Sequence, residues 1–293
     1  MTDTPDQVGG DDPLLRRWGT FVTGNAILAS QSATATQNAV DTTTVDFTVG
    51  TDYRLSKEWT IGFLGGYGRT TADLDSLGSR LAMNNYRFGP YGSYTRGDWY
   101  INGRGYYGFN VGTVTRAVPI TNAVAQGKPD GDQYGVAFDT GYKFHAGNLT
   151  YGPVLGGQYT HINIGSYMET GAGASNLLIG TQSVDSFVAN LGGRVSYDFH
   201  TTWRRLTIRP QLDASWQHEC LDTSHTIGEA FVVPGTGAFT VNASGLPRDA
   251  AVLGGGVSMI LNSGSLVFVR YDAQIGQENY SAQSITGGIR IVY

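Results

Sequence analysis

Hydrolytic chemistry needs a base beside a nucleophile or an activated water, and five histidines are the first residues to test for it. His218 and His225 fall in a long connection, 218–247, together with Glu219, Asp222 and Glu229. An Asp/His pair at a rim there would activate water. The segment is rich in glycine and its spacing fixes no such pair, so a solvated loop is the stronger reading. His161 closes an alternating segment, where a place at the rim is favoured over a ligand role. His145 and His200 sit in short turns and are expected on the surface. Serine-based catalysis needs Ser and His side by side, and no segment pairs them. The single cysteine, Cys220, supports neither an internal disulfide nor a cysteine-rich metal site. Gly-Tyr-Gly runs lack a following helix and Lys-Ser/Thr, so they are not phosphate loops. No catalytic residue, metal or cofactor is expected, and the chain is not expected to be an enzyme.

The functional residue types that recur at a fixed spacing are charges. Asp46, Asp52, Arg87, Arg104, Asp139, Lys143, Arg194, Asp198, Arg209, Asp213, Arg270, Asp272 and Arg290 all fall on the polar parity of alternating segments. The other parity is apolar: Val45, Phe47, Val49 and Tyr53, for example, or Leu206, Ile208, Leu212, Ala214 and Trp216. A period of two is the mark of a strand with two unlike faces. It predicts twelve strands, at 17–28, 43–54, 59–70, 82–95, 99–110, 132–144, 149–163, 184–199, 206–217, 248–261, 266–276 and 280–293. In the first of these the parity is ambiguous. Trp18, Val22 and Leu28 share one face, Phe21 and Ile27 the other.

Composition narrows what those strands build. Glycine supplies 42 of 293 residues, about twice the usual share. Charged residues are only 15% and aromatics 12%. That excludes coiled coil, collagen and disorder. No apolar run reaches the length of a spanning helix. The net charge of −5 speaks against a nucleic-acid partner. Connection lengths alternate. Short turns (55–58, 96–98, 145–148, 200–205, 262–265) are interleaved with long loops (29–42, 71–81, 111–131, 164–183, 218–247), and only the last long-side link, 277–279, is short. Tyr53, Trp59, Tyr94, Trp99, Tyr142, Phe144, Tyr151, Tyr197, Phe199 and Trp203 flank the short turns as a girdle would. The fold expected is all-β: a twelve-stranded antiparallel transmembrane β-barrel of the outer membrane, with short periplasmic turns and long extracellular loops. The charged parity then lines the pore and the apolar parity meets outer-membrane lipid.

The last segment alternates Ile285, Gly287, Ile289, Ile291 and Tyr293 and ends on the aromatic. It resembles the signal read by the barrel-assembly machinery, carried by Ile285, Ile289, Ile291 and Tyr293. VGTDYR at 49–54, IGFLGGYGR at 61–69, and YGSY at 91–94 followed by GDWY at 97–100 stand in matching order with the close 280–293. From about Trp18 to Tyr293 the chain resembles an autotransporter β-domain, the translocator of type V secretion. The resemblance implies a barrel that anchors an N-terminal passenger and exports it to the cell surface, with a pore helix before the first strand. Arg87, Arg104 and Arg194 would hold that helix or the transiting chain. Some members cut their own passenger with lumen acids. Asp46, Asp52 and Asp139 are candidates here, but the Asn-containing linker is missing and pairing with lumen arginines is favoured.

On this reading residues 1–17 are a linker remnant, with room over Asp12–Arg17 for one short turn of a pore helix, and 18–293 are the barrel. The first 13 residues have neither a basic nor an apolar stretch, so no signal peptide is expected. Three origins stay open: a piece of a longer protein, a misassigned start, or a relative without a passenger. Two other functions remain in view: a stand-alone porin-like channel or surface-loop adhesin, and a rim enzyme using His218.

Overall fold

A computed structural model describes residues 17–293 except 35–37, 75–77, 202–205, 234–236, 244, 246 and 262. Twelve long strands form one closed antiparallel ring. They are β1 (Trp18–Gln31), β2 (Val40–Arg54), β3 (Trp59–Asp73), β4 (Arg80–Arg96), β5 (Trp99–Val118) and β6 (Asp130–Tyr142), then β7 (Leu149–Ile164), β8 (Gln182–Tyr197), β9 (Thr207–Glu219), β10 (Asp249–Ile260), β11 (Leu266–Gln277) and β12 (Tyr280–Val292). Each strand pairs with the next. β12 closes onto β1 without a break, from Gly19 opposite Val292 to Gln31 opposite Tyr280. Trp18 and Tyr293 seal that seam by exchanging backbone bonds of 3.1 and 2.9 Å. Closure leaves no barrel edge unpaired, the only way a sheet can satisfy its backbone in lipid.

The burial pattern is inside out relative to a soluble domain. Phe47, Phe63, Tyr86, Leu191, Leu212 and Ile285 are all exposed on the outer wall. No large side chain is fully buried among the described residues. The first strand resolves its ambiguity: Trp18, Val22 and Leu28 face outward, while Phe21 is buried inside and Ile27 lines the lumen. At the short-turn end, rings touch in series, among them Trp18–Tyr53 (5.0 Å), Trp59–Tyr94 (4.7 Å), Tyr94–Trp99 (5.7 Å), Phe144–Tyr151 (5.6 Å) and Tyr197–Phe199 (4.6 Å). Trp203 of the sequence-predicted girdle lies outside the described residues.

A second outer belt, which the sequence reading did not identify, lies toward the long-loop end. It includes Tyr67–Tyr86 (5.3 Å), Tyr107–Phe109 (5.2 Å), Tyr134–His161 (4.8 Å) and Trp216–His218 (5.5 Å). Two belts of amphipathic rings bracket an apolar band, as the two interfaces of a bilayer require.

Three long connections expected as loops carry structure of their own, which is a correction. β5 runs on to Val118 and turns back through Ala123–Gly127. Tyr167–Met168, Leu177–Ile179, His225–Phe231 and Ala238–Ala243 form a separate four-stranded sheet. Arg116 ties the two together. Its guanidinium grips Glu169 at 2.9 and 2.5 Å and donates to the Ser175 carbonyl at 2.8 Å. Glu169 also accepts from the Leu177 backbone at 3.0 Å. Beside this clasp Val118, Ala125 and Ala172 pack a small apolar core. Arg116→Met leaves the buried Glu169 carboxylate without its charge partner. It is expected to speed amide exchange at Leu177–Ile179 by an order of magnitude or more and to leave the barrel's own unfolding midpoint unchanged.

Glu229, in the same small sheet, is held above the ordinary carboxylate value of 4.5 by burial, with Arg116 opposing and Glu169 adding. The closed cap therefore binds this proton more tightly than the opened one. That stabilisation is full below 4.5 and is lost as pH rises through the folded value. Protection of Leu177–Ile179, corrected for intrinsic exchange, is expected to rise as pH falls from neutral toward that value. Glu229→Gln should flatten the dependence.

Candidate functional site

The polar parity converges on the barrel interior. Two adjoining cavities of about 290 and 260 Å³ lie along the lumen and share Ile27 and Asp139. Asp46, Arg87 and Arg104 line the first, and Arg194, Asp213, Arg270 and Asp272 the second.

The wall charges are paired sideways, along the wall. Three of these pairs skip a strand. Asp52 on β2 accepts from Arg290 on β12 at 2.6 and 2.7 Å, across β1. Gly19 lies directly opposite Asp52 on that intervening strand. A Cβ on Gly19 would come within 2.4 Å of the Arg290 guanidinium and 2.7 Å of Asp52, so the glycine is the notch through which the pair meets. On the neighbouring strands Arg270 of β11 reaches Asp213 of β9 at 2.6 and 2.7 Å, over Gly254 of β10. Arg270 also takes Asp272 of its own strand at 2.9 and 2.5 Å. Arg87 of β4 binds Asp46 of β2 past Gly68 of β3 in the same manner. A carboxylate, a glycine and an arginine on three successive strands is thus a repeated device. It staples strands two apart.

The remaining sequence-derived charges extend this lining. Arg209 forks onto Asp198 at 2.5 and 2.8 Å. Asn102 donates to Asp139 at 2.9 Å. Lys143 sits 5.1 Å above the Tyr100 ring, a cation–π distance. Sequence reasoning missed the uncharged lumen side chains. Tyr91 donates to Asp52 at 2.7 Å and stands edge-on to Phe21 at 5.6 Å. Tyr100 is buried inside as well. These rings have the size and apolarity of outward residues. The visible signal is the facing glycine: Phe21 lies over Gly50 and Tyr91 over Gly62.

The histidines take other places. His218 belongs to β9 and not to a loop, correcting the sequence reading. Its ring lies tilted beside that of Trp216 on the outer wall, and its Nδ1 meets Asp249 at 2.9 Å. His161 repeats this arrangement, with Nδ1 2.9 Å from Asp185 and its ring on Tyr134. Both pairs belong to the second aromatic belt. His145 contacts Thr150 at 3.1 Å and Asp98 at 3.3 Å, and His200 contacts Thr207 at 3.1 Å, all at the short-turn end. Glu219 takes no part in the His218–Asp249 pair: it is engaged by Ser186 at 2.6 Å and by the Phe187 and Leu221 amides. Ile285, Ile289, Ile291 and Tyr293 are exposed along the outer face of β12. The possible turn of pore helix at Asp12–Arg17 falls outside the described residues, Arg17 excepted.

Known proteins of similar sequence and shape agree with this architecture. Two curated relatives, both described as an extracellular serine protease of Serratia marcescens, are 26% and 25% identical over 289 residues. Each alignment covers 97% of this chain and 26% of the relative, so the chain spans about a quarter of their length. The translocator domain of the Neisseria meningitidis autotransporter NalP superposes with a TM-score of 0.74 at 15% identity, over 94% of this chain and 88% of that one. The β-domain of the Bordetella autotransporter BrkA gives 0.71 at 15% identity, over 94% and 100%. The transport unit of AIDA-I from Escherichia coli gives 0.62 at 14%, over 100% and 93%. A family model described as the autotransporter beta-domain matches residues 20–272. The chain belongs to the autotransporter β-domain family, the translocator barrels of the bacterial outer membrane.

Proposed function

We propose that the barrel anchors and exports a passenger joined ahead of Trp18, that its last strand is taken up by the barrel-assembly machinery through Ile285, Ile289, Ile291 and Tyr293, and that it catalyses no reaction itself. One observation carries the reading: most of the lumen acids and bases are spent on each other along the wall. A pore so lined presents polar surface without strong attraction for either sign, which suits a chain that must move through and not stay. The absence of catalysis is supported by the two His–Asp pairs, which sit on the outer wall beside Tyr134 and Trp216, away from the lumen.

A stand-alone channel or adhesin is the competing reading, supported by the folded cap above the barrel. Antiserum to the barrel separates the two. A translocator is expected as an outer-membrane species well above 31.4 kDa, or as a barrel near that mass beside a released surface fragment. A single species of that mass with no companion would favour the channel. Within the translocator, Arg104→Ala with Arg194→Ala is expected to change pore conductance and slow passenger display. Unchanged values for both would remove these two residues from the lumen's working set.

A further inference from the structure

The outer wall changes character just above the second aromatic belt. On β2 the exposed series Val49, Phe47, Val45 gives way to Thr43 and Asp41, and on β3 the series Ile61, Phe63, Tyr67 gives way to Arg69 and Thr71. On β4, Phe88 and Tyr86 give way to Asn84 and Ala82. From that level to the ends of the strands, the outer-wall charges of three other groups are matched by a partner of opposite kind. Asp185 holds His161 and Tyr159, Asp249 holds His218 and Trp216, and Asp73 holds Arg80 at 2.7 Å. Arg69 differs. It is exposed, lies directly between Val45 and Asn84 on the flanking strands, and has no acid or other hydrogen-bond partner among the described residues.

Its neighbours are donors as well. Asn84 accepts from the Tyr67 hydroxyl at 2.8 Å through its oxygen, which leaves its Nδ2 hydrogens as the free end. Tyr86, opposite Tyr67, is half exposed with a hydroxyl bonded to no described residue. A guanidinium, an amide N–H and a phenol stand on one outer face of adjacent strands, with exposed Val45 beside Arg69 and the Tyr67 and Tyr86 rings one step toward the apolar band. Donors with a fixed positive charge select an oxyanion. An apolar floor beneath selects one that carries hydrocarbon.

We propose that Arg69, Asn84 and Tyr86 form a binding site for the phosphorylated headgroup of an outer-leaflet lipid, whose acyl chains lie on the apolar wall beneath. Guanidinium matches phosphate through paired donors, and the position at the upper belt puts it at headgroup height.

The full chain, refolded into phosphatidylcholine vesicles, tests this with three probes: bis-phosphorylated lipid A, the same lipid dephosphorylated, and inorganic phosphate. The wild-type barrel is expected to retain the phosphorylated lipid after extraction. Arg69→Gln is expected to weaken retention about tenfold, the value of one charge-assisted hydrogen bond. Removing the lipid's phosphates should weaken it to the same degree, and Arg69→Lys should keep part of it. Arg80→Gln, whose arginine is already paired, should change nothing. Equal retention by Arg69→Gln and wild type, with both barrels running as folded species on unheated gels, would overturn the site. Displacement of the lipid by inorganic phosphate at matched concentration would overturn the assignment to lipid.

Discussion

Arg290→Met is expected to cost the folded barrel about 3–5 kcal/mol, the price of leaving a buried carboxylate unpaired. Asp52 is the carboxylate. Its side chain is only 2% exposed, and its strongest partners are Arg290 and the Tyr91 hydroxyl. The pair spans β2 to β12 over Gly19, so it crosses the seam where the last strand closes on the first. Loss of the cation therefore acts where the ring is completed. Asp52→Asn in the same chain removes the orphaned charge, and the double variant should recover much of the loss. Guanidinium unfolding in vesicles, followed by tryptophan fluorescence, measures both. An Arg290→Met barrel as stable as wild type would mean that water in the lumen screens the pair.

Gly62→Val is the second large effect. A Cβ at this position would stand 2.6 Å from the Thr51 carbonyl oxygen and 2.5 Å from the Tyr91 ring. The backbone oxygen cannot swing aside as a side chain can. Tyr91 can move only by giving up Asp52 and Phe21. Overpacking of this kind costs about 1–3 kcal/mol, and here it strikes the same buried group as the Arg290 change. Gly62→Val and Arg290→Met should accordingly be non-additive in the unfolding assay. Gly97→Val serves as a control in a turn, where nothing lies near the new Cβ. It is expected to cost only what its φ of +61° imposes on a side chain. Equal effects at the two glycines would contradict the packing argument.

Much of the architecture was legible because a barrel wall writes itself in period two. Strand number and parity follow from residues such as Phe47, Phe63 and Leu212 alternating with Asp46, Gly62 and Asp213. The alternation of short and long connections then oriented the ring. Less legible were features that depend on which strand lies beside which. The strand-skipping pair of Asp52 and Arg290 joins residues 238 positions apart, and no spacing along the chain announces it. The lumen rings of Phe21 and Tyr91 look like lipid-facing residues until their glycines are placed opposite. The cap was hidden for another reason: its strands are short, and their pairing is set by Arg116 and Glu169 across two loops. The second belt was present in the sequence as Tyr67, Tyr86, Tyr134 and Trp216. It was obscured because these fall mid-segment in strands that run well beyond the apolar band.

Display of a reporter fused ahead of Trp18 tests the central claim most directly. The fusion carries its own export signal and is produced in a two-membrane bacterium, where protease added to whole cells reads surface exposure. The account predicts that the reporter is cleaved from intact cells while the barrel stays in the outer membrane as a folded, unheated-gel species. A folded barrel in that membrane with the reporter protected in the periplasm would contradict it.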